Sequence, residues 1–195
     1  MVFASFFFFL LAVFLSSWGK KPSSAMDGLG ILPKKGQNAL FLVAWGLAAA
    51  IACMMAAWAI SAALYFLGVL DSHIVQARME SFPLPILIFA FTLAPLSEEA
   101  LFRGALFQKI FDATSASSSP SSRRLHLPFL ASASLSSVLF ALMHMGYGSF
   151  AEIIAAFSIG IVLCITAART NSLIPSIVAH ACFNLASITI TMFLL

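Results

Sequence analysis

The chain has 195 residues, of which 62% are hydrophobic and only 9% are charged, and its mean hydropathy is +1.04. This composition excludes an ordinary soluble globular domain and predicts a protein that crosses a membrane several times. The net charge of +3 comes from Lys and Arg residues between apolar stretches, without the basic and aromatic pattern that is typical of nucleic-acid binding. We therefore expect the lipid bilayer as a partner and no nucleic acid.

Six apolar stretches follow one another along the chain, and most of them reach the length of about 20 residues that spans a bilayer core. They predict an all-α fold, that of a polytopic membrane protein with about six transmembrane helices. The predicted spans are residues 3–17, 38–69, 82–110, 127–145, 150–168 and 172–195. The first span is short for a membrane helix. We interpret it as a retained anchor rather than a signal peptide, because no basic residues precede it.

The distribution of Lys and Arg predicts how the chain is oriented in the membrane. Six spans place the basic loops at 18–37, 111–126 and 169–171 on one side, which the positive-inside bias makes the cytoplasmic side. We divide the chain into an N-terminal hydrophobic anchor with its basic cytoplasmic loop, 1–37, and a transmembrane helical domain, 38–195. In a prokaryote, this multi-pass protein is expected in the cytoplasmic membrane.

The third stretch carries charged residues where charge is costly. An ionised side chain near the bilayer centre costs roughly 3 to more than 10 kcal/mol, so such residues usually face a partner, a cavity or a reaction. Glu99 and Arg103 are four residues apart, in the favourable order for an ion pair on one helical face. Glu98 projects about 100° away around the helix and has no local partner. Pro95 is expected to kink this helix just before the carboxylates.

Two later stretches each carry a histidine that lies four residues, about one helical turn, from a second residue of interest. His144 follows Phe140 by four residues, and His180 precedes Asn184 by four, so each pair shares one face of its helix. Taken singly, each histidine is explained by a hydrogen bond between helices. Taken together, three helices can direct Glu98, His144 and His180 into one polar cavity, with Phe140 packed beside it.

A carboxylate, two imidazoles and an amide suit the hydrolysis of a peptide bond. Glu98 and His144 can take a proton from water, while His180 and Asn184 can donate hydrogen bonds to the developing oxyanion. Glu98, His144 and His180 also match a zinc ligand set with one open position. The cofactor is therefore open at this point: the residues fit both a water site without metal and a divalent metal such as zinc.

The ordered motifs resemble a known family. They are Glu-Glu-x-x-x-Arg at 98–103, Phe-x-x-x-His at 140–144 and His-x-x-x-Asn at 180–184, on successive hydrophobic helices. In this order they resemble the three signature motifs of the CPBP intramembrane proteases. This is the family of type II CAAX prenyl endopeptidases and Abi-type bacteriocin-processing proteins. The resemblance covers a motif-bearing core at roughly 82–190 of the transmembrane domain, and the triple is more specific than any one motif.

The resemblance implies an all-helical membrane protease that hydrolyses a peptide bond in a membrane-associated or lipidated peptide or protein. It implies that Glu98 and His144 activate the water and that His180 and Asn184 stabilise the oxyanion. The remaining motif residues are expected to support the site; they are Glu99, Arg103 and Phe140. The processing of a CAAX-type substrate, the maturation of a bacteriocin and a role in self-immunity all fit the family.

Two functions outside catalysis fit the same residues. A catalytically silent membrane protein would use the cavity to bind a partner peptide. A small transporter would use the buried acid and histidines as a proton relay, although the chain lacks the two matching halves of many transporters. Solvation at loops or helix ends is expected to explain the other polar residues considered: His73, His126, Asp71, Arg78, Asp112 and Glu152.

Overall fold

The computed structural model describes residues 2–17, 31, 36–119 and 126–193, and every regular element within these ranges is helical. The predicted basic loop at 18–37 and the C-terminal part of that at 111–126 lie largely outside the described residues. The elements are α1 Val2–Ser17, α2 Ala39–Phe66, α3 Ser72–Glu80, α4 Leu84–Phe91, α5 Leu93–Glu99, a π-helix Ala100–Leu106, α6 Phe107–Ser117, α7 Leu127–Met143, a 3-10 turn His144–Tyr147, α8 Phe150–Thr170 and α9 Ile174–Phe193.

The predicted fold class, an all-α polytopic membrane protein, is confirmed. Five helical segments are long and apolar enough to cross a membrane: Ala39–Phe66, Leu84–Ser117, Leu127–Tyr147, Phe150–Thr170 and Ile174–Met192. The first predicted span forms the helix α1, but its apolar part is shorter than a full span. The count of five long helices plus a short one is therefore close to the six that the sequence predicts.

Helix α2 begins and ends at residues suited to those positions. Asn38 caps its N-terminus by accepting a hydrogen bond from the Leu40 N–H at 2.9 Å. The helix ends just before Gly68, whose φ of +71° is the left-handed conformation that glycine adopts readily. Along its length, small residues let α9 approach closely, and Gly46 packs directly against Val178. Helix α2 thereby supports α9, the helix that carries the second histidine.

The third predicted span is broken into several helical pieces. The break occurs at Thr92, whose φ of −114° and ψ of −82° are not helical. Pro95 explains the position of the break, because it lacks an N–H for the Phe91 carbonyl and its ring crowds that carbonyl. The Thr92 hydroxyl donates to the Ile88 carbonyl at 2.8 Å and satisfies one of the carbonyls near the break. The proline therefore acts one turn before itself, and α5, which carries Glu98 and Glu99, begins after the break.

The π-helix lies immediately after the two glutamates. Its wider turn alters the backbone hydrogen bonding, as π-helical turns near functional sites often do. The Ser136 hydroxyl of α7 donates to the Phe102 carbonyl at 2.8 Å, so α7 supplies a hydrogen bond to this segment. On its other side, α1 inserts Ala12 into a core cluster with Phe102 and Phe140. The π-helix is thus held between α1 and α7.

Candidate active site

Glu99 connects two helices through a single carboxylate oxygen. Its Oε1 lies 2.8 Å from Arg103 Nη1, the ion pair that the spacing predicts, and 2.9 Å from His180 Nδ1. Glu99 and Arg103 are fully buried and His180 is nearly so. The spacing predicts a bond of Glu99 to Arg103 alone. The structure adds His180, so this carboxylate orients the histidine of α9 as well.

Arg103 is held by three neighbouring elements. Its Nη2 donates to the Gly160 carbonyl of α8 at 3.2 Å. Its guanidinium carbon lies 4.4 Å from the centroid of the Phe140 ring, a distance at which a cation and an aromatic face attract. A Cβ atom at Gly160 would lie only 2.8 Å from the Ser137 Cβ. Glycine is therefore needed at 160 for α8 to approach both α7 and the arginine.

Glu98 is the carboxylate that faces the open side of the site. Its side chain is 19% exposed, whereas that of Glu99 is not exposed at all. Its Oε2 lies 3.8 Å from His180 Nε2, which is close for an ion pair but too long for a hydrogen bond. The two ring nitrogens of His180 therefore face two different glutamates. Nδ1 is hydrogen-bonded to Glu99, and Nε2 lies near Glu98.

Phe140 stands between the two histidines. Its ring centroid lies 4.7 Å from that of His144 and 5.6 Å from that of His180. The ring is almost fully buried, and it contacts both imidazoles and the Arg103 guanidinium. Phe140 was expected to pack beside the cavity, and the structure places it at the centre of the group.

His144 is oriented by its own helix. Its Nδ1 lies 2.9 Å from the Phe140 carbonyl oxygen. A carbonyl can only accept a hydrogen bond, so Nδ1 carries the proton and a neutral His144 keeps its lone pair on Nε2. No hydrogen bond or ion pair within 4 Å joins His144 to Glu98, both of which are described. The two are therefore separate groups rather than a bonded pair.

Asn184 makes a contact that the sequence analysis did not predict. Its Nδ2 donates to the Ala90 carbonyl at 2.8 Å, where α4 ends before the break at Thr92. A break in a helix leaves carbonyls without their usual partners, and a side-chain amide can supply one. Asn184 therefore stabilises the broken helix, and it does so one helical turn from His180.

Glu98, His144 and His180, for which a metal was left open, do not form a metal site in the described part of the chain. Among these residues, no group of three or more His, Cys, Asp or Glu side chains is close enough together to hold a metal ion. We derive no chemical step through a metal.

Tyr147 is a neighbour of the site that the sequence analysis missed. Its ring is stacked on His144, with centroids 6.0 Å apart and planes inclined by 21°. Tyr147 lies three residues after His144, and in a 3-10 turn this spacing brings two side chains to the same side. The spacing is the feature of the sequence that could have identified Tyr147.

Comparison with known proteins places the chain in a family. A family profile described as type II CAAX prenyl endopeptidase Rce1-like matches residues 80–186, more than half of the chain. The match includes all three motifs and the residues that the structure brings together around Phe140. No curated protein and no solved structure gives a significant match. The chain belongs to the Rce1-like family of type II CAAX prenyl endopeptidases.

Proposed function

We propose that this protein is an intramembrane endopeptidase that hydrolyses a peptide bond near the C-terminus of a lipidated, membrane-associated peptide. The observation that carries the proposal is the arrangement of His180, with Nδ1 held by Glu99 and Nε2 3.8 Å from Glu98. A buried carboxylate that fixes one imidazole nitrogen leaves the other available to a reacting group. Family membership supports the same class of reaction.

Glu98 is the proposed base that activates the water. It is the partly exposed carboxylate of the pair, and its Oε2 only approaches His180, at 3.8 Å. His144 supports the same step through Nε2, whose lone pair is free because Nδ1 is the donor to the Phe140 carbonyl. A water between these two groups can transfer its proton as it attacks the scissile carbonyl, and the proton then passes to the leaving amine.

His180 is the proposed donor to the oxyanion. Because Glu99 holds Nδ1, Nε2 stands at a fixed position, and when it carries a proton it can donate to the oxyanion of the substrate. Asn184 is assigned to the same step by the resemblance to the family. Its present bond to the Ala90 carbonyl also gives it a role in the broken helix. Arg103, through Glu99, keeps the His180 ring in place.

The proposal predicts cleavage of a defined probe by the wild-type protein. The probe is a peptide whose farnesylated cysteine is followed by three C-terminal residues, presented in vesicles that contain the purified full chain. Mass spectrometry should detect release of the three-residue product. His144→Ala should lower the rate by roughly 10²- to 10⁴-fold, as expected for loss of an acid–base group. The exposed His73 provides the matched control, and His73→Ala should cleave at the wild-type rate.

Persistence of the intact probe with folded wild-type protein would contradict the proposal. Binding of the probe without cleavage would instead favour a catalytically silent peptide-binding protein. An equal rate in His144→Ala and wild type would show that cleavage occurs elsewhere.

A further inference from the structure

The chain forms a turn after His144, and the residues of this turn restrict its backbone conformation only weakly. The 3-10 turn His144–Tyr147 contains Gly146 and is followed by Gly148, which adopts a φ of +80°. Glycine restricts the backbone less than any other residue. The position of His144 relative to α8 therefore depends on contacts from outside the turn.

Asp71 supplies the first of these contacts. Its Oδ1 accepts from the Ser149 hydroxyl at 2.7 Å and from the Ala151 N–H at 3.1 Å, and its Oδ2 accepts from the Phe150 N–H at 2.7 Å. Burial opposes ionisation, but these three hydrogen bonds outweigh it and lower the pKa of Asp71 below its ordinary value. The ionised carboxylate thus joins the start of α3 to the first turn of α8.

Arg78 supplies the second contact from the other end of α3. Its Nη2 donates to the Gly146 carbonyl within the turn. Between the two polar contacts, Ile74 packs against the turn. Its methyl carbon lies 3.8 Å from the point that a Cβ atom would occupy at Gly148. Helix α3 has no buried residues, so these contacts rather than a core hold it against the turn. The expectation that solvation alone explains Asp71 and Arg78 was wrong.

We propose that α3 is a clamp on the turn that follows His144, with Asp71 and Arg78 as positioning residues for that histidine. The catalytic part of this inference rests on the proposed function. Asp71 and Arg78 both precede residues 80–186, so the clamp lies outside the part of the chain that matches the family. A displacement of about 1 Å in a catalytic group can lower a rate by about 10²-fold. Contacts that fix the position of His144 should therefore affect the rate of cleavage.

The kinetic test uses the full chain in vesicles with the farnesylated probe. Asp71→Ala and Arg78→Met should each lower kcat by roughly ten- to a hundredfold. Their KM should stay within about twofold of the wild type, because neither residue is placed to bind the peptide. Asp71→Asn should recover part of kcat, since its amide oxygen still accepts from Ser149 and Ala151. Asp112→Ala and Lys109→Met alter exposed residues of α6 and should leave kcat unchanged.

A second readout measures the clamp without catalysis. Amide hydrogen exchange at residues 145–151 should be about fivefold faster in Asp71→Ala and Arg78→Met, the size expected from losing a helix cap. The same amides should exchange at the wild-type rate in the α6 controls. Unchanged exchange, or a kcat equal to that of the wild type, would overturn the clamp. If the wild type itself cleaves no probe, the proposed function fails while the exchange rates still decide whether the clamp exists.

Discussion

The two adjacent glutamates have different environments although they are neighbours in sequence. Glu99 is fully buried and binds both Arg103 and His180, whereas Glu98 is 19% exposed and only approaches His180. The spacing predicts the local ion pair, because residues four apart lie on one face of a helix. It does not predict which carboxylate binds His180, since that depends on how α5 and α9 are rotated against each other.

The buried carboxylate should matter more for stability than the exposed one. Glu99→Gln leaves the Arg103 charge buried without its counter-charge, which should lower the free energy of unfolding by about 3 kcal/mol. Glu98→Gln should change it far less, because this side chain still reaches water. Thermal unfolding of the two variants in the same detergent measures the difference.

A double variant separates charge burial from loss of packing. Glu99→Gln with Arg103→Met removes both charges and should be more stable than Glu99→Gln alone. Equal melting temperatures for Glu99→Gln and the wild type would show that the charge of Glu99 does not stabilise the buried Arg103.

At the scale of elements, the sequence predicts where apolar helices lie but not how the third one is divided. Pro95 indicates a disturbance, and the break is found one turn earlier at Thr92. Nothing in the local sequence predicts the π-helix that follows. It depends on neighbours that are distant in the chain, such as the Ser136 hydroxyl that donates to the Phe102 carbonyl. The helices are therefore largely predictable, whereas their irregular parts arise from tertiary contacts.

The contact between α2 and α9 should be sensitive to a single methyl group. A Cβ at Gly46 would lie 2.7 Å from the Val178 Cβ and 2.9 Å from the Pro175 carbonyl oxygen. Gly46→Ala should therefore lower the free energy of unfolding by about 1–3 kcal/mol through overpacking. Ala48→Val, on the exposed face of the same helix, is the control and should have little effect.

Unfolding of both α2 variants can be followed by the loss of helical circular dichroism. A Gly46→Ala protein as stable as the wild type would mean that α2 and α9 do not pack as closely as the structure has them. Partial recovery in Gly46→Ala with Val178→Ala would assign the cost to this one contact.

For the whole molecule, the site depends on parts of the chain that precede the family match. The match begins at residue 80, yet α1 packs on the π-helix and α2 packs on α9. The three motifs predict which helices face one another, and the structure brings Glu98, Glu99 and Arg103 together with His180. The separation of His144 from Glu98 and the bond of Asn184 to Ala90 were not predictable, because both follow from the turn and the break rather than from helical spacing.

The most direct test of the central claim compares Glu98→Gln with the wild type in cleavage of the farnesylated probe. This change removes the proposed base while nearly preserving the shape of the side chain, and Asp112→Asn makes the same chemical change at an exposed site on α6. We predict that Glu98→Gln lowers kcat by roughly 10²- to 10⁴-fold, with its helical content unchanged and Asp112→Asn fully active. Cleavage by folded Glu98→Gln at the wild-type rate would contradict the assignment of Glu98 as the base that activates water.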